Sequence, residues 1–198
     1  MSAVRKITAA DILPLEEYAR QRVERRRSMS ALKRNRRVEL GPFVTFYFES
    51  YDTMLHQVQE MLYIEKGGAE QIDDELAAYN PLIPNGSELT ATAMIEIDDE
   101  LRRKRVLAEL GGIEDTFWIR VGGETVKGVP EQDQERTNEQ GKTSSVHFLH
   151  FPFTAAQIAD FRQEGTEIVM GCAHPKYGHM AIIAEAVRQT LATDFSPA

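Results

Sequence analysis

The sequence predicts an α+β fold: a single domain over residues 1–198 in which a largely antiparallel sheet packs with helices. Segments with period-two alternation of apolar residues, typical of strands, are interspersed with segments of helical period. Glycine turns join neighbouring strands as hairpins, whereas a parallel sheet would need helical crossovers. The chain of 198 residues, 42% of them hydrophobic, is long enough to bury one sizeable core.

The N-terminal part is predicted to contain a basic helical segment at residues 9–37. A helix begins near Ala9, where Thr8 and Asp11 supply capping chemistry. Serines that can cap a new helix predict that the first helix breaks or leaves the core around residues 27–29, after which a short basic helix follows. The apolar stripe of the first helix is formed by Ile12, Leu15, Ala19 and Val23.

The rest of the chain is predicted to mix strands and helices. Strands are expected at residues 38–49, 88–98, 116–128 (a hairpin), 144–153 and 166–172. Helices are expected at residues 50–68, 70–79, 98–111, 154–165 and 179–195. In the first strand, Gly41-Pro42 indicate an edge or a bulge. Residues 130–142 contain no apolar residue larger than a proline, which predicts a mobile polar loop.

The charge of the chain is unevenly distributed. Residues 20–37 carry a net charge of +8, which leaves −16 for the remaining residues of a chain whose total is −8. An acidic body repels a phosphate backbone, and no aromatic residue lies among these arginines to stack on bases. This argues against nucleic acid and favours a solvated helix face that pairs with acidic groups of the protein or of a partner.

The composition also constrains the compartment. No run of about 18 apolar residues is present, and the N-terminus becomes charged too early for a signal peptide. A single cysteine cannot form an internal disulfide, which fits a reducing environment. We therefore expect a cytoplasmic protein that does not enter a membrane.

Histidines and the cysteine suggest two alternative chemistries at residues 170–180. Cys172, His174 and His179 would supply three zinc ligands, although their spacing matches no established metal motif. A thiol nucleophile paired with His174 is the second alternative. Strand alternation instead assigns Cys172 to the core and, after a turn at Tyr177-Gly178, a helix begins near His179. His147 and His150 are three residues apart on a strand, so they lie on opposite faces and cannot hold one metal together. His147 shares the face of Leu149 and Phe151 and is the one expected to be at least semi-buried.

Carboxylates of the second long helix offer a further candidate site. His56 and Glu60 lie one helical turn apart and share a face with Tyr63. Glu65 projects to the apolar side, so either the helix frays before it or it meets a buried partner such as an arginine of the basic segment. An arginine–glutamate bond of that kind would explain part of the charge asymmetry.

Four segments, at residues 7–20, 57–65, 75–97 and 143–154, resemble a bacterial family known as domain of unknown function 3501, and YNPLIP followed by ELTAT is the most specific block. The resemblance implies a cytoplasmic protein often encoded beside iron-sulfur oxidoreductase and rubrerythrin-like genes. It also directs attention to a set of polar residues as binding candidates: Gln57, Glu60, Glu65, Glu75, Tyr79, Asn80, Glu88, His147 and His174.

Three hypotheses about function follow. The leading one is a non-enzymatic accessory or binding protein of a cytoplasmic iron-sulfur or peroxide redox system, which docks an iron-sulfur oxidoreductase or rubrerythrin-like partner through the basic segment. The second is a metal-dependent enzyme or sensor that combines carboxylates of residues 60–88 with His147 or His174. The third is a structural module that forms a homo-oligomer. The sequence predicts no particular cofactor.

Overall fold

The computed structural model describes residues 6–131, 137 and 141–196. These residues form helices α1 (Leu15–Lys33), α2 (Tyr51–Glu65), α3 (Glu70–Tyr79), α4 (Glu100–Glu109), α5 (Ala155–Arg162) and α6 (Glu185–Ala192). They also form strands β1 (Arg37–Leu40), β2 (Val44–Phe48), β3 (Glu88–Ile95), β4 (Phe117–Val121), β5 (Glu124–Lys127), β6 (Val129–Pro130), β7 (Val146–Pro152), β8 (Ile168–His174) and β9 (Tyr177–Ile182).

The strands form two sheets, which confirm the predicted α+β class. The first sheet has the order β1-β2-β3-β7-β6 and the second has the order β5-β4-β8-β9. All strand pairs within the described ranges are antiparallel.

The first sheet is covered on both faces. Its inner face meets the second sheet, where Phe46 and Phe117 contact edge to face with ring centroids 5.0 Å apart. Its outer face lies under α2 and the chain that follows α3, which form a second apolar cluster around Val58 and Leu82. Phe148 of β7 packs against that cluster.

Several elements agree closely with the sequence predictions. Helix α3 spans residues 70–79, and α4 begins after Asp99, whose side chain accepts a hydrogen bond from the Arg102 amide. The hairpin at Gly122-Gly123 joins β4 and β5. Alternation also identified the buried apolar positions of β3, which are Leu89, Ala91, Ala93 and Ile95, although Thr90 is buried as well.

Two N-terminal predictions are wrong. Helix α1 continues through residues 27–29, because Ser28 is exposed and its hydroxyl meets solvent without interrupting the helix. Residues 38–49 form the hairpin of β1 and β2, in which Leu40 is opposite Val44. Gly41, with φ +68°, makes the turn, since only glycine adopts this conformation at little cost.

The predicted helix 179–195 is wrong over its first part. Residues 177–182 form β9, which pairs with β8 and places His179 opposite Cys172. The helix α6 starts only at Glu185. Pairing with β8 supplies backbone hydrogen-bond partners for both strands, and this tertiary contact overrides the local helical pattern.

Part of the predicted loop at residues 130–142 is structured. Pro130 belongs to β6, which pairs with β7, and Thr137 forms an isolated bridge with Thr143. The mobility predicted for residues 132–136 and 138–140 concerns positions outside the described ranges. Within those ranges, no helix is both long enough and apolar enough to cross a membrane.

The close contact between Gly171 of β8 and Trp118 of β4 can be tested by mutation. Gly171 is directly opposite Trp118, and a Cβ atom at Gly171 would overlap the indole ring. We expect Gly171→Ala to lower the free energy of unfolding by about 1–3 kcal/mol, because Trp118 must move out of a packed position. Urea unfolding followed by tryptophan fluorescence measures this.

Gly178→Ala is the matched control for that substitution. Gly178 lies on the neighbouring strand β9, and a Cβ there meets no atom within 4 Å. Its stability and emission spectrum are expected to match the wild type. Equal stability of the two variants would contradict the proposed role of the Gly171 contact.

Candidate functional site

Helix α1 contacts the body of the protein through few buried groups. Tyr18 is the single buried residue of α1, at 1% exposure. The predicted apolar stripe is wrong, because Leu15 is 40% and Val23 76% exposed. A helix that is polar on nearly all sides gains little from burial, so its position depends on other contacts.

A charged cluster on α2 provides those contacts. The Arg22 guanidinium donates to both carboxylate oxygens of Glu60, each at 2.8 Å, and the Tyr18 hydroxyl donates to Glu60 Oε1 at 2.5 Å. The guanidinium also lies 4.7 Å from the centroid of the Tyr63 ring. These hydrogen bonds, that of Arg22 first, lower the pKa of Glu60 to about 2. An arginine–glutamate bond therefore joins the basic segment to α2, with Glu60 as the acceptor.

Glu65, for which the sequence suggested a buried arginine partner, is bound by a glutamine instead. Glu65 is exposed at the last residue of α2 and accepts a hydrogen bond of 2.6 Å from Gln71, which also binds Glu75. The last turn of α2 leaves the apolar cluster, so no buried arginine is needed. His56 lies 3.5 Å from the Tyr18 hydroxyl, and burial lowers its pKa.

The outward face of α1 is basic and exposed. Arg20, Arg27 and Arg34 follow one another at seven-residue spacing, which places them on one side of a helix. All three are exposed, and Val23 lies among them. Arg27 forms a 3.4 Å ion pair with Glu24 on the helix surface, whereas no described carboxylate lies within 4 Å of Arg20 or Arg34. We call this surface, formed by these four residues, the basic face.

A cavity of about 370 Å³ lies between the outer face of the first sheet and the helices. Its polar lining comes from Lys33, Tyr47, Glu49, Gln57, Tyr79 and Thr92. Its apolar lining comes from Met54, Leu82, Met94, Val146 and Phe148. We call it the Glu49 cavity. Two binding candidates of the sequence, Gln57 and Tyr79, meet here, with Gln57 Nε2 3.5 Å from the Tyr79 hydroxyl oxygen.

The remaining binding candidates are dispersed. Asn80 ends α3 and binds both the amide and the carbonyl of Ile7, at 2.8 and 3.0 Å, so it fastens the N-terminal segment. His147 is fully buried on the face of Leu149, as expected, and its Nε2 lies 2.9 Å from the Ser144 carbonyl oxygen. Asn80 and His147 therefore belong to different parts of the fold.

Residues 170–180 do not form the metal site that the sequence offered as an alternative. The Cys172 thiol is buried beside Thr116, and burial raises its pKa, which disfavours a nucleophilic thiolate. His174 accepts a hydrogen bond from the Lys176 amide, and its other ring nitrogen contacts the Gly111 carbonyl oxygen at 3.3 Å. Although His179 is opposite Cys172, it is part of a strand rather than of a helix start.

The arrangement of potential ligands in the described residues does not support a metal site. Across residues 6–131, 137 and 141–196, no three histidine, cysteine, aspartate or glutamate side chains are arranged to hold a metal ion. Glu60, Glu65, Glu88, His147 and His174 do not converge. The metal-dependent hypothesis requires such a convergence, so its site is absent from the described part of the chain.

Glu88 joins a different histidine from those expected. His150 of β7 lies between two carboxylates: its Nδ1 is 3.0 Å from Glu88 Oε2 and its Nε2 is 2.7 Å from Glu131 Oε1. The hydrogen bond to Glu88 is the largest of the effects that raise the pKa of His150. The imidazolium form can donate to both carboxylates at once, which makes this trio a pH-sensitive link between β3 and β7.

Sequence reasoning missed the residues that give the Glu49 cavity its charge. Glu49 follows β2 and precedes Ser50, the N-cap of α2, and Lys33 is the last residue of α1. A glutamate at a strand end was the available signal, since polar residues there often line sites. The Glu49 side chain lines the cavity because α2 folds back over the sheet, and the sequence does not show how α2 is placed.

Comparisons with known proteins place the chain in a family. Residues 6–195 match the family described as "Protein of unknown function (DUF3501)". The chain belongs to the DUF3501 family. The DUF3501 chain is also similar to a crystal structure described as a novel protein of unknown function from Burkholderia pseudomallei, with 38% identity and a TM-score of 0.90 over 97% of this chain and 100% of that chain. No curated protein matches the DUF3501 chain.

The Glu60 cluster of this DUF3501 protein predicts an acid-dependent stability. Glu60→Gln is expected to lower the free energy of unfolding at pH 7 by about 1–2 kcal/mol, because it removes a charge-assisted, partly solvated bond to Arg22. The folded pKa of Glu60 is lowered to about 2 from its ordinary 4.5, so this stabilisation is present above pH 4.5 and is lost as the pH falls toward 2. Urea unfolding of both proteins across this range measures it.

Glu65→Gln is the control for the Glu60 prediction. Glu65 is exposed on the same helix, and glutamine preserves an acceptor for Gln71. Its stability is expected to follow the wild type at every pH. A gap between wild type and Glu60→Gln that stays constant down to pH 2 would contradict the assignment.

The His150 trio yields a second pH experiment. Glu88→Gln is expected to lower the pKa of His150 toward its ordinary value of 6.5, since the mutation removes the largest cause of the raised pKa. An NMR titration of the histidine ring protons measures this shift. His56, which lies outside the trio, should titrate as in the wild type; an unchanged His150 would show that Glu88 does not control its protonation.

Proposed function

We propose that this DUF3501 protein is a non-enzymatic accessory protein that docks an acidic partner protein through the basic face of α1. The observation that supports this most directly is the contrast within α1. One side is fixed to α2 by Arg22, Glu60 and Tyr18, while the other side presents Arg20, Arg27 and Arg34 to solvent. A nearly polar helix held in place by specific bonds suits a bridge to another molecule.

The chemistry of the basic face favours a protein as the partner. Arginine is the charged residue best suited to protein interfaces, because its planar guanidinium binds carboxylates in pairs of hydrogen bonds. Val23, 76% exposed, adds an apolar contact among the arginines. A nucleic acid would approach a chain whose remaining residues carry −16, which opposes binding to phosphates.

The family resemblance suggests which protein the partner is. Genes for iron-sulfur oxidoreductases and rubrerythrin-like proteins often lie beside those of the family, so we propose an acidic protein of this cytoplasmic redox system as the partner. In this proposal the protein acts as a docking or assembly factor. The role does not require metal-dependent catalysis by the DUF3501 protein itself.

The docking proposal is tested with purified proteins. We expect the iron-sulfur oxidoreductase of the same organism, or failing that the rubrerythrin-like protein, to bind the full-length chain with an affinity that decreases as salt increases. Replacing Arg20, Arg27 and Arg34 with glutamate should weaken binding at least about tenfold, because like charges then face each other. Isothermal titration calorimetry at several salt concentrations measures both effects.

The control changes the same amount of charge elsewhere. Arg102, Lys104 and Arg105 are exposed on α4, and their replacement with glutamate should leave the partner affinity within about twofold. Absence of binding to both redox proteins, or equal weakening by both triple variants, would refute the proposal. If instead the wild type self-associates in sedimentation experiments and the α1 variant does not, the partner is a second copy of the chain.

A further inference from the structure

Glu49 is a buried carboxylate that forms no ion pair with any described residue. The residue is 4% exposed, and its two oxygens accept hydrogen bonds from Thr53 at 2.6 Å and from Thr92 at 2.7 Å. Among the described residues, no arginine, lysine or histidine nitrogen forms an ion pair with it; the Arg36 guanidinium binds only its backbone carbonyl and the Asp194 carboxylate. A buried charge of this kind is costly unless a cation or additional donors reach it.

The carboxylate has capacity for further donors. A carboxylate offers about four acceptor positions, and the two threonine hydroxyls occupy one on each oxygen. Glu49 lines the cavity of about 370 Å³ described above, so a molecule inside the cavity can reach it. Small-molecule pockets have volumes of roughly 300–1,000 Å³, and this cavity falls in that range.

Lys33 brings the opposite charge to the same cavity. It is half-buried at the end of α1 and lines the cavity with Glu49, yet the two side chains form no ion pair within 4 Å. Apolar side chains, among them Met54, Leu82 and Phe148, also line the cavity. The cavity therefore combines one anion, one cation and an apolar wall.

We propose that the Glu49 cavity binds a small zwitterion of the amino-acid class with an apolar side chain. The ligand's ammonium group donates to Glu49, its carboxylate pairs with Lys33, and its side chain lies against Met54, Leu82 and the aromatic rings. Each charge of the ligand then meets an opposite charge of the protein. The Glu49 carboxylate is already held by the hydroxyls of Thr53 and Thr92, which reduces the cost of ordering the site on binding. The proposal does not depend on docking through the basic face, which uses other residues.

Three probes separate the contributions of the two charges. L-Phenylalanine carries both groups, phenethylamine carries only the ammonium and 3-phenylpropionate only the carboxylate. We expect L-phenylalanine to bind most tightly in calorimetric titrations of the full-length protein, phenethylamine at least about tenfold more weakly and 3-phenylpropionate weakest, because it places a second anion near Glu49. L-Leucine tests whether an aliphatic side chain is accepted as well.

Two variants assign each charge to its partner. Glu49→Gln should weaken both L-phenylalanine and phenethylamine by about 10- to 100-fold. Lys33→Met should weaken L-phenylalanine to the level of phenethylamine and leave phenethylamine unchanged, while Lys33→Arg should retain most of the affinity. Glu65→Gln, on the same helix as the cavity residue Met54 but outside the lining, is the control and should bind like the wild type.

The outcomes decide the proposal even if one variant is unstable. Circular dichroism establishes whether Glu49→Gln is folded; if it is not, the probe-specific effect of Lys33→Met carries the test. Failure of L-phenylalanine and L-leucine to bind at about 10 mM refutes the proposal. An equal loss of affinity for L-phenylalanine and phenethylamine in Lys33→Met also refutes it, because Lys33 would then not bind the ligand's carboxylate.

Discussion

Burial of the first sheet on both faces is the constraint on which the rest of this structure depends. The inner face packs against the second sheet through aromatic contacts such as that of Phe46 with Phe117. The outer face must be covered as well, and α2 provides the cover. A strand residue that would be solvated in a one-sided antiparallel sheet therefore lies under a helix, where its polar groups need partners. Thr92 and Glu49 meet this need by bonding each other.

The position of α2 over the sheet also explains where charged groups of the two long helices lie. Glu60 faces away from the sheet, and there it fastens α1 through Arg22 and Tyr18. Helix α2 is thus apolar on the side of the sheet and polar on the side of α1. No described residues form a further layer over helix α1, and its outward arginines are exposed. Glu49 lies inside this stack, between the sheet and the helices, whereas the basic face lies on its outer surface.

The placement of the histidines shows how far local pattern predicts a site. Period-two alternation correctly assigned His147 to the core face of β7, and the structure puts His150 on the other face, beside Glu88. The pairing of β3 with β7 brings His150 close to Glu88, 62 residues away in sequence. Alternation determines the face of a side chain, whereas the strand neighbour across that face is a matter of topology.

The sequence by itself determined the fold class, the bounds of α3 and the buried positions of β3, because helical and strand periods and the proline after Asn80 are local signals. It also anticipated an arginine–glutamate bond between the basic segment and α2. Only the tertiary structure decided that Glu60 is the acceptor, that residues 177–182 form a strand, and that Glu49 and Lys33 share a cavity. Each of these depends on which distant segments pack together, and packing energy outweighs the small local preferences that a sequence pattern records.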